Sequence, residues 1–129
     1  RLCKHCREPA QLSPGECAWL AAHARGDSTS GFQRGAGCSD CSNTGHRGRV
    51  GVYELLEIDA AAADALRRGD HGEYERVARA SRGYRSLTEA ALDLARSGVI
   101  SLPEVLRVAE QGEDEPIEGG TGAASTAVR

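Results

Sequence analysis

Apolar side chains recur along the chain at two spacings, and the spacings divide it into elements. Ser13-Pro14-Gly15-Glu16 has the form of a capping box with proline in the first helical turn, so a short helix opens at Pro14. Cys17, Leu20, Ala21 and Ala24 then share one of its faces, with Cys17 read as a small buried apolar residue. From Arg49 to Ile58 the spacing switches to alternation. Val50, Val52, Leu56 and Ile58 fall on one side, with Glu54 an exception, and Tyr53 and Leu55 on the other. That pattern predicts a strand near 49–58 that is covered on both faces. Asp59 caps a helix over Ala60–Arg68 that stops at Gly69, and a second helix runs from about Gly72 to Arg82 with Tyr74, Val77 and Ala78 inward. Ser86-Leu87-Thr88-Glu89 opens a third helix with a stripe of Leu87, Ala91, Leu94 and Ala95. Ser101-Leu102-Pro103-Glu104 opens a fourth, with Leu102, Val105, Leu106 and Ala109 inward to about Gln111. Val99 and Ile100 seal the last pair.

Between these elements the chain is rich in glycine and polar residues. Residues 25–37 read as a loop, and the Arg25-Gly26-Asp27 tripeptide within it carries no functional claim. From Gly112 onward almost nothing can be buried, which predicts a disordered tail. The fold class is therefore α+β and mostly helical. It divides into a cysteine-bearing subdomain at 1–48, a strand plus helical subdomain at 49–111, and a tail at 112–129.

Composition sharpens this picture. Leu, Val, Ile and Phe together make only 22 of 129 residues, whereas Ala alone makes 20. Such a chain buries little area per side chain and needs help from a metal, a disulfide or a larger body. The five cysteines show where that help comes from. Four form two C-x-x-C pairs, Cys3-Lys4-His5-Cys6 and Cys38-Ser39-Asp40-Cys41, separated by 31 residues. A tight turn points two thiolates inward, and two such turns supply the four soft ligands of a tetrahedral Zn²⁺. A disulfide framework needs an oxidising compartment, and no export signal is visible. A redox dithiol sits in a thioredoxin-like βαβ context, absent here. Four cysteine ligands leave no open position, so the zinc is expected to be structural. His5 lies within one knuckle with its side chain expected outward; His23 and His46 read as surface or packing residues, and His71, which follows Gly69-Asp70 in a turn, carries no functional claim.

The net charge of −3 argues against a general nucleic-acid binder. Four acids, Glu113, Asp114, Glu115 and Glu118, sit in the tail, so residues 1–112 balance at 15 acids and 15 bases. No apolar run has the length of a membrane span. The chain has no methionine and its first motif begins at Cys3, from which a piece of a longer protein is expected.

One order of motifs stands out: a first cysteine pair, a spacer, then Gly37-Cys38-Ser39-Asp40-Cys41-x-x-Thr44-Gly45-x-x-Gly48-Arg49-x-Gly51-Val52-Tyr53-Glu54-Leu55-Leu56. Gly83-Tyr84-Arg85-Ser86-Leu87 and Gly98-Val99-Ile100-Ser101-Leu102-Pro103-Glu104-Val105-Leu106-Arg107-Val108 follow. Over about residues 2–109 this resembles the C-terminal region of the type II secretion and type IV pilus assembly ATPases. The resemblance implies a hexameric bacterial motor, peripheral at the cytoplasmic face of the inner membrane, working with other subunits and with inner-membrane platform proteins. It also implies that Cys3, Cys6, Cys38 and Cys41 bind structural zinc, and that ATP and Mg²⁺ belong to an upstream core. No G-x-x-x-x-G-K-[ST] motif occurs, and the single lysine, Lys4, is out of context, so the chain alone is expected to be inactive toward ATP. His46 stands where the family often has an aromatic residue.

Two other classes compete. A nucleic-acid-binding zinc ribbon finds seven bases against four acids in residues 1–49, but four thiolates with Zn²⁺ reduce the balance to +1 and stacking aromatics are scarce. A chaperone-like (DnaJ-like) cysteine-rich domain repeats C-x-x-C-x-G-x-G, and neither pair here has the glycine two residues on.

Overall fold

The structure is a computed structural model that describes residues 1–24 and 29–112. Its elements in order are β1 (Arg7–Pro9), α1 (Pro14–His23), β2 (Gln33–Gly35), a single 3₁₀ turn (Ser39–Cys41), α2 (Ala60–Arg68), α3 (His71–Ala80), α4 (Leu87–Arg96) and α5 (Leu102–Gly112). The fold is α+β and mostly helical, in agreement with the pattern. The Arg25-Gly26-Asp27 tripeptide and the tail beyond Gly112 lie outside the described residues.

Local chemistry sets the helix starts. Ser13 Oγ accepts the Glu16 N–H at 3.2 Å while Glu16 Oε2 accepts the Ser13 N–H at 2.8 Å, completing the expected box. Ser86 and Glu89 do the same for α4. Asp59 caps α2 through the Ala62 N–H, and Gly69 ends it in the left-handed region at φ 70°. Helix α3 begins one residue earlier than the pattern implied, because Asp70 takes the cap and accepts the Glu73 N–H at 3.0 Å. It also ends earlier, at Ala80.

The strand expected over 49–58 does not form. Among the described residues that segment makes one bridge, Leu55 with Arg85, and no continuous ladder. A ladder needs a neighbouring edge, and among the described residues only Arg85 bridges to this segment. Nor is the segment covered on both faces: Tyr53, Leu55 and Ile58 are 78%, 69% and 57% exposed. Strands appear instead within the cysteine region. β1 and β2 pair antiparallel, with Arg7 opposite Gly35 and Pro9 opposite Gln33. Three residues each, they carry no alternation long enough to read from sequence, and β2 lies inside the segment taken for a loop.

Leu20 of α1, Phe32, and Ala91, Leu92, Ala95, Ile100, Leu102 and Val105 of the α4–α5 pair form the main core. Ala91 and Ala95 are fully buried, and their small side chains let α4 lie close to its neighbours. Helices α2 and α3 pack on each other through Ala62, Ala65 and Ala78. Two hydrogen bonds join the beginning of the chain to the α4–α5 turn: the Leu2 N–H donates to Val99 O at 2.8 Å, and Arg7 Nη1 to Gly98 O at 3.3 Å. The largest fully buried side chains are Leu102, Val105 and Cys3, so a cysteine ranks among the bulkiest interior groups. So thin an interior cannot supply much stability by burial alone.

Candidate metal centre

The β1–β2 pair brings the two cysteine turns together. Cys3 and Cys6 flank the turn that leads into β1, and β2 leads toward Cys38. The Ala36 N–H donates to Cys6 O at 2.9 Å, and the Cys3 N–H to Gly45 O at 2.9 Å, locking each turn to the other. The second turn closes through the Asn43 N–H on Cys38 O at 2.8 Å, with Ser42 and Asn43 in the left-handed region at φ 53° and 62°. Thr44 Oγ1 donates to Cys41 O at 2.6 Å and holds the exit of the turn.

Gly35 and Gly45 cross backbone to backbone. A Cβ built on Gly45 would stand 2.6 Å from Gly35 O, and one on Gly35 would overlap the Gly45 backbone. Gly45 also sits at φ 74°, where an L side chain is strained. Both glycines are therefore required by the approach of the two turns.

The four sulfurs converge. Cys3 Sγ lies 3.8 Å from Cys38 Sγ, Cys6 Sγ 3.8 Å from Cys41 Sγ, and Cys38 Sγ 3.7 Å from Cys41 Sγ. All four lie within 4.8 Å of one another. With metal–sulfur bonds of about 2.3 Å, a tetrahedral ZnS₄ site has sulfur–sulfur edges of about 3.8 Å. The spacing thus fits a four-thiolate tetrahedron. It exceeds a disulfide's roughly 2.05 Å, and the cysteines are free.

Backbone donors favour negative sulfur here. The Gly37 N–H points at Cys6 Sγ at 3.3 Å, and the Cys38 and Gly45 N–H groups point at Cys41 Sγ at 3.3 and 3.2 Å. Burial works against ionising Cys41, but these two N–H donors and the thiols of Cys38 and Cys6 outweigh it and bring the group down to about 6. Burial pushes Cys6 up to about 12 against the Gly37 donor, with the neighbouring thiols adding to the rise. Burial raises Cys38 as well, again against backbone donors. Burial thus sets the Cys6 and Cys38 thiols against ionisation, while backbone donors favour the Cys41 thiolate. A dication is the complement of such a set.

The other candidates stand apart from the sulfurs. His5 is exposed and faces Asp40 at 3.7 Å, beside Arg47 at 3.8 Å from the same carboxylate. His46 is exposed, with Nδ1 3.0 Å from Thr44 O. His23 stacks on Trp19 at 4.5 Å, and His71 is the exposed first residue of α3. Cys17 is half-buried on α1 rather than fully interior. Sequence reasoning missed the Gly35–Gly45 crossing and the Thr44 staple. The Thr44-Gly45 pair just after the second C-x-x-C was the available signal.

Over residues 1–107 the chain matches the model of the family described as type II/IV secretion system protein, and it belongs to that family. Among its relatives is the type II secretion system protein E of Klebsiella pneumoniae, 35% identical over 121 residues, covering 86% of this chain and 21% of that protein. The corresponding protein of Pseudomonas aeruginosa is 32% identical, over 85% of this chain and 21% of its own length. The type IV pilus assembly ATPase PilB of Thermus thermophilus is 31% identical, over 82% of this chain and 12% of its own. The chain thus spans about a fifth of the length of the type II relatives it matches.

Proposed function

We propose that this chain is the C-terminal zinc-binding part of a hexameric motor ATPase that powers type II protein secretion or type IV pilus assembly, and that it acts there as a structural and interaction module. The observation that carries the reading is the set of sulfur–sulfur edges of 3.7–3.8 Å in a chain of this family. Cys3, Cys6, Cys38 and Cys41 would hold the zinc, and the ion supplies a cross-link between two turns that cannot be held by burial alone. Four thiolates fill its coordination shell, so its role is to fix shape and not to activate water.

The surrounding residues have their own parts. The N–H groups of Gly37, Cys38 and Gly45 orient and stabilise the thiolates. Gly35 and Gly45 allow the turns to meet, and Leu2 and Arg7 transmit their position to the α4–α5 turn. ATP and Mg²⁺ would be bound by a separate core of the parent protein, since no Walker A sequence occurs in these 129 residues. The partners in this reading are neighbouring subunits of the hexamer and inner-membrane platform proteins. Its location is the cytoplasmic face of the bacterial inner membrane. Among the described residues no helix is long and apolar enough to cross a membrane.

Elemental analysis of the purified chain tests the centre. One zinc per chain is expected, with Cys38→Ser or a strong chelator removing it and loosening residues 1–48 in hydrogen exchange. A metal-free chain that keeps its exchange protection in chelator would overturn the reading.

A further inference from the structure

A groove of about 330 Å³ runs between α5 and the residues that follow the second cysteine turn. Its apolar lining is Val50, Val52, Ile100 and Val108, of which Ile100 is buried and Val52 and Val108 rest half-buried against the main core. Arg1 and Arg49 also line it, and both are exposed. A second groove of about 260 Å³ shares Arg1 and adds Lys4, His5 and Arg47. Basic groups therefore border both grooves. Arg47 faces Asp40 at 3.8 Å, a carboxylate that His5 approaches as well. Among the described residues, however, Arg1, Lys4 and Arg49 have no ion-pair partner. Glu104 is the one acid lining the first groove, and it is already engaged by Arg107 at 3.4 Å on its own helix.

The chain carries a complement to this surface. Glu113-Asp114-Glu115-Pro116-Ile117-Glu118 puts four carboxylates and one large apolar side chain into six residues. Residues 1–112 balance in charge, so the chain's negative excess belongs to this stretch. It follows directly on α5, which ends at Gly112. Val108 of the groove lies four residues before that end, about 6 Å back along the helix. The five residues from Glu113 to Ile117 can reach up to about 17 Å, which is enough to return Ile117 to the level of Val108.

We propose that this groove is a docking site for residues 113–118 of the same chain, taking Ile117 on its apolar lining and the carboxylates against Arg1 and Arg49. The contact neutralises the basic surface next to the cysteine turns. Any other acidic ligand then has to displace the tethered one.

The test uses the zinc-loaded 129-residue chain. Methyl NOEs between Ile117 and Val50, Val52 or Val108 are expected at low salt, and they should fade near 1 M salt, where the Debye length is about 3 Å. A dye-labelled peptide of sequence Glu-Asp-Glu-Pro-Ile-Glu serves as the probe in trans. It is expected to bind on the order of tenfold more tightly once Glu113→Gln, Asp114→Asn, Glu115→Gln and Glu118→Gln are combined, because the tethered copy no longer competes. Ile117→Ser alone should act in the same direction to a smaller extent. Adding Arg49→Gln to the neutralised variant should weaken the probe again. Equal affinity of the probe for the unaltered and neutralised chains, or binding that Arg49→Gln leaves unchanged, would overturn the proposal. So would NOEs that appear only between separately labelled chains, since they would put a second copy's segment in the groove. Zinc content is measured on every variant, so that loss of the metal is recognised separately from loss of docking.

Discussion

Gly45→Ala offers the sharpest check on how the cysteine turns are built. At φ 74° an alanine sits in the left-handed region, which costs about 1–2 kcal/mol. Its Cβ would also stand 2.6 Å from Gly35 O and 2.9 Å from the carbonyl carbon, and crowding of that kind costs roughly 1–3 kcal/mol. The two together give a loss of about 3 kcal/mol. Gly48 is the internal control. It has nearly the same φ, 75°, but a Cβ there meets nothing within 4 Å, so Gly48→Ala should lose only about 1 kcal/mol. Thermal melts of the metal-loaded variants should therefore separate by about 10 °C, given roughly 4–8 °C per kcal/mol for a domain of this size. Chelator competition should show Gly45→Ala releasing metal more readily, because its N–H is one of two that donate to Cys41 Sγ. If the two variants melt together, the backbone crossing does not constrain the site and the reasoning fails.

Other expectations rest on separate features. Leu102→Ala removes one of the largest buried side chains and should cost about 3 kcal/mol in urea denaturation; under 1 kcal/mol would mean the α4–α5 core is looser than its burial indicates. Ser13→Ala removes the α1 cap and should cost about 1 kcal/mol, with Ser13→Gly milder. The Arg76 hydrogen bond holds the Glu73 carboxyl below the usual carboxylate range. Its folded-state value is depressed, so its contribution is present above the ordinary carboxylate range and lost as pH falls through the folded value. NMR titration of Glu73 should show the low midpoint, and Arg76→Gln should return it to normal.

What the sequence disclosed follows from how local each signal is. Capping boxes at Ser13 and Ser86 and the stop at Gly69 depend on neighbours three or four residues away, so those helix ends were legible to the residue. The cysteine cluster was legible because two C-x-x-C turns carry their meaning in spacing alone. Three-residue strands at 7–9 and 33–35 were not, since their pairing is set by chain closure across the spacer. The Gly35–Gly45 contact is likewise a meeting of distant backbones that leaves no pattern in either segment. At 49–58 the alternation predicted a strand that does not form, because pairing is a property of what lies beside a segment, and among the described residues the one bridge there is Leu55 with Arg85.

The ties from Leu2 to Val99 and from Arg7 to Gly98 have a consequence for how the molecule is made. A ribosome adds about 5–20 residues per second, so Leu2 emerges many seconds before the helix pair it must meet. During that interval the first cysteine turn has no wall to lean on, and metal caught early by one pair alone would lack its frame. The support that α4 and α5 give the cluster thus arrives last, and a stall between Cys41 and α5 would leave the four thiols without it.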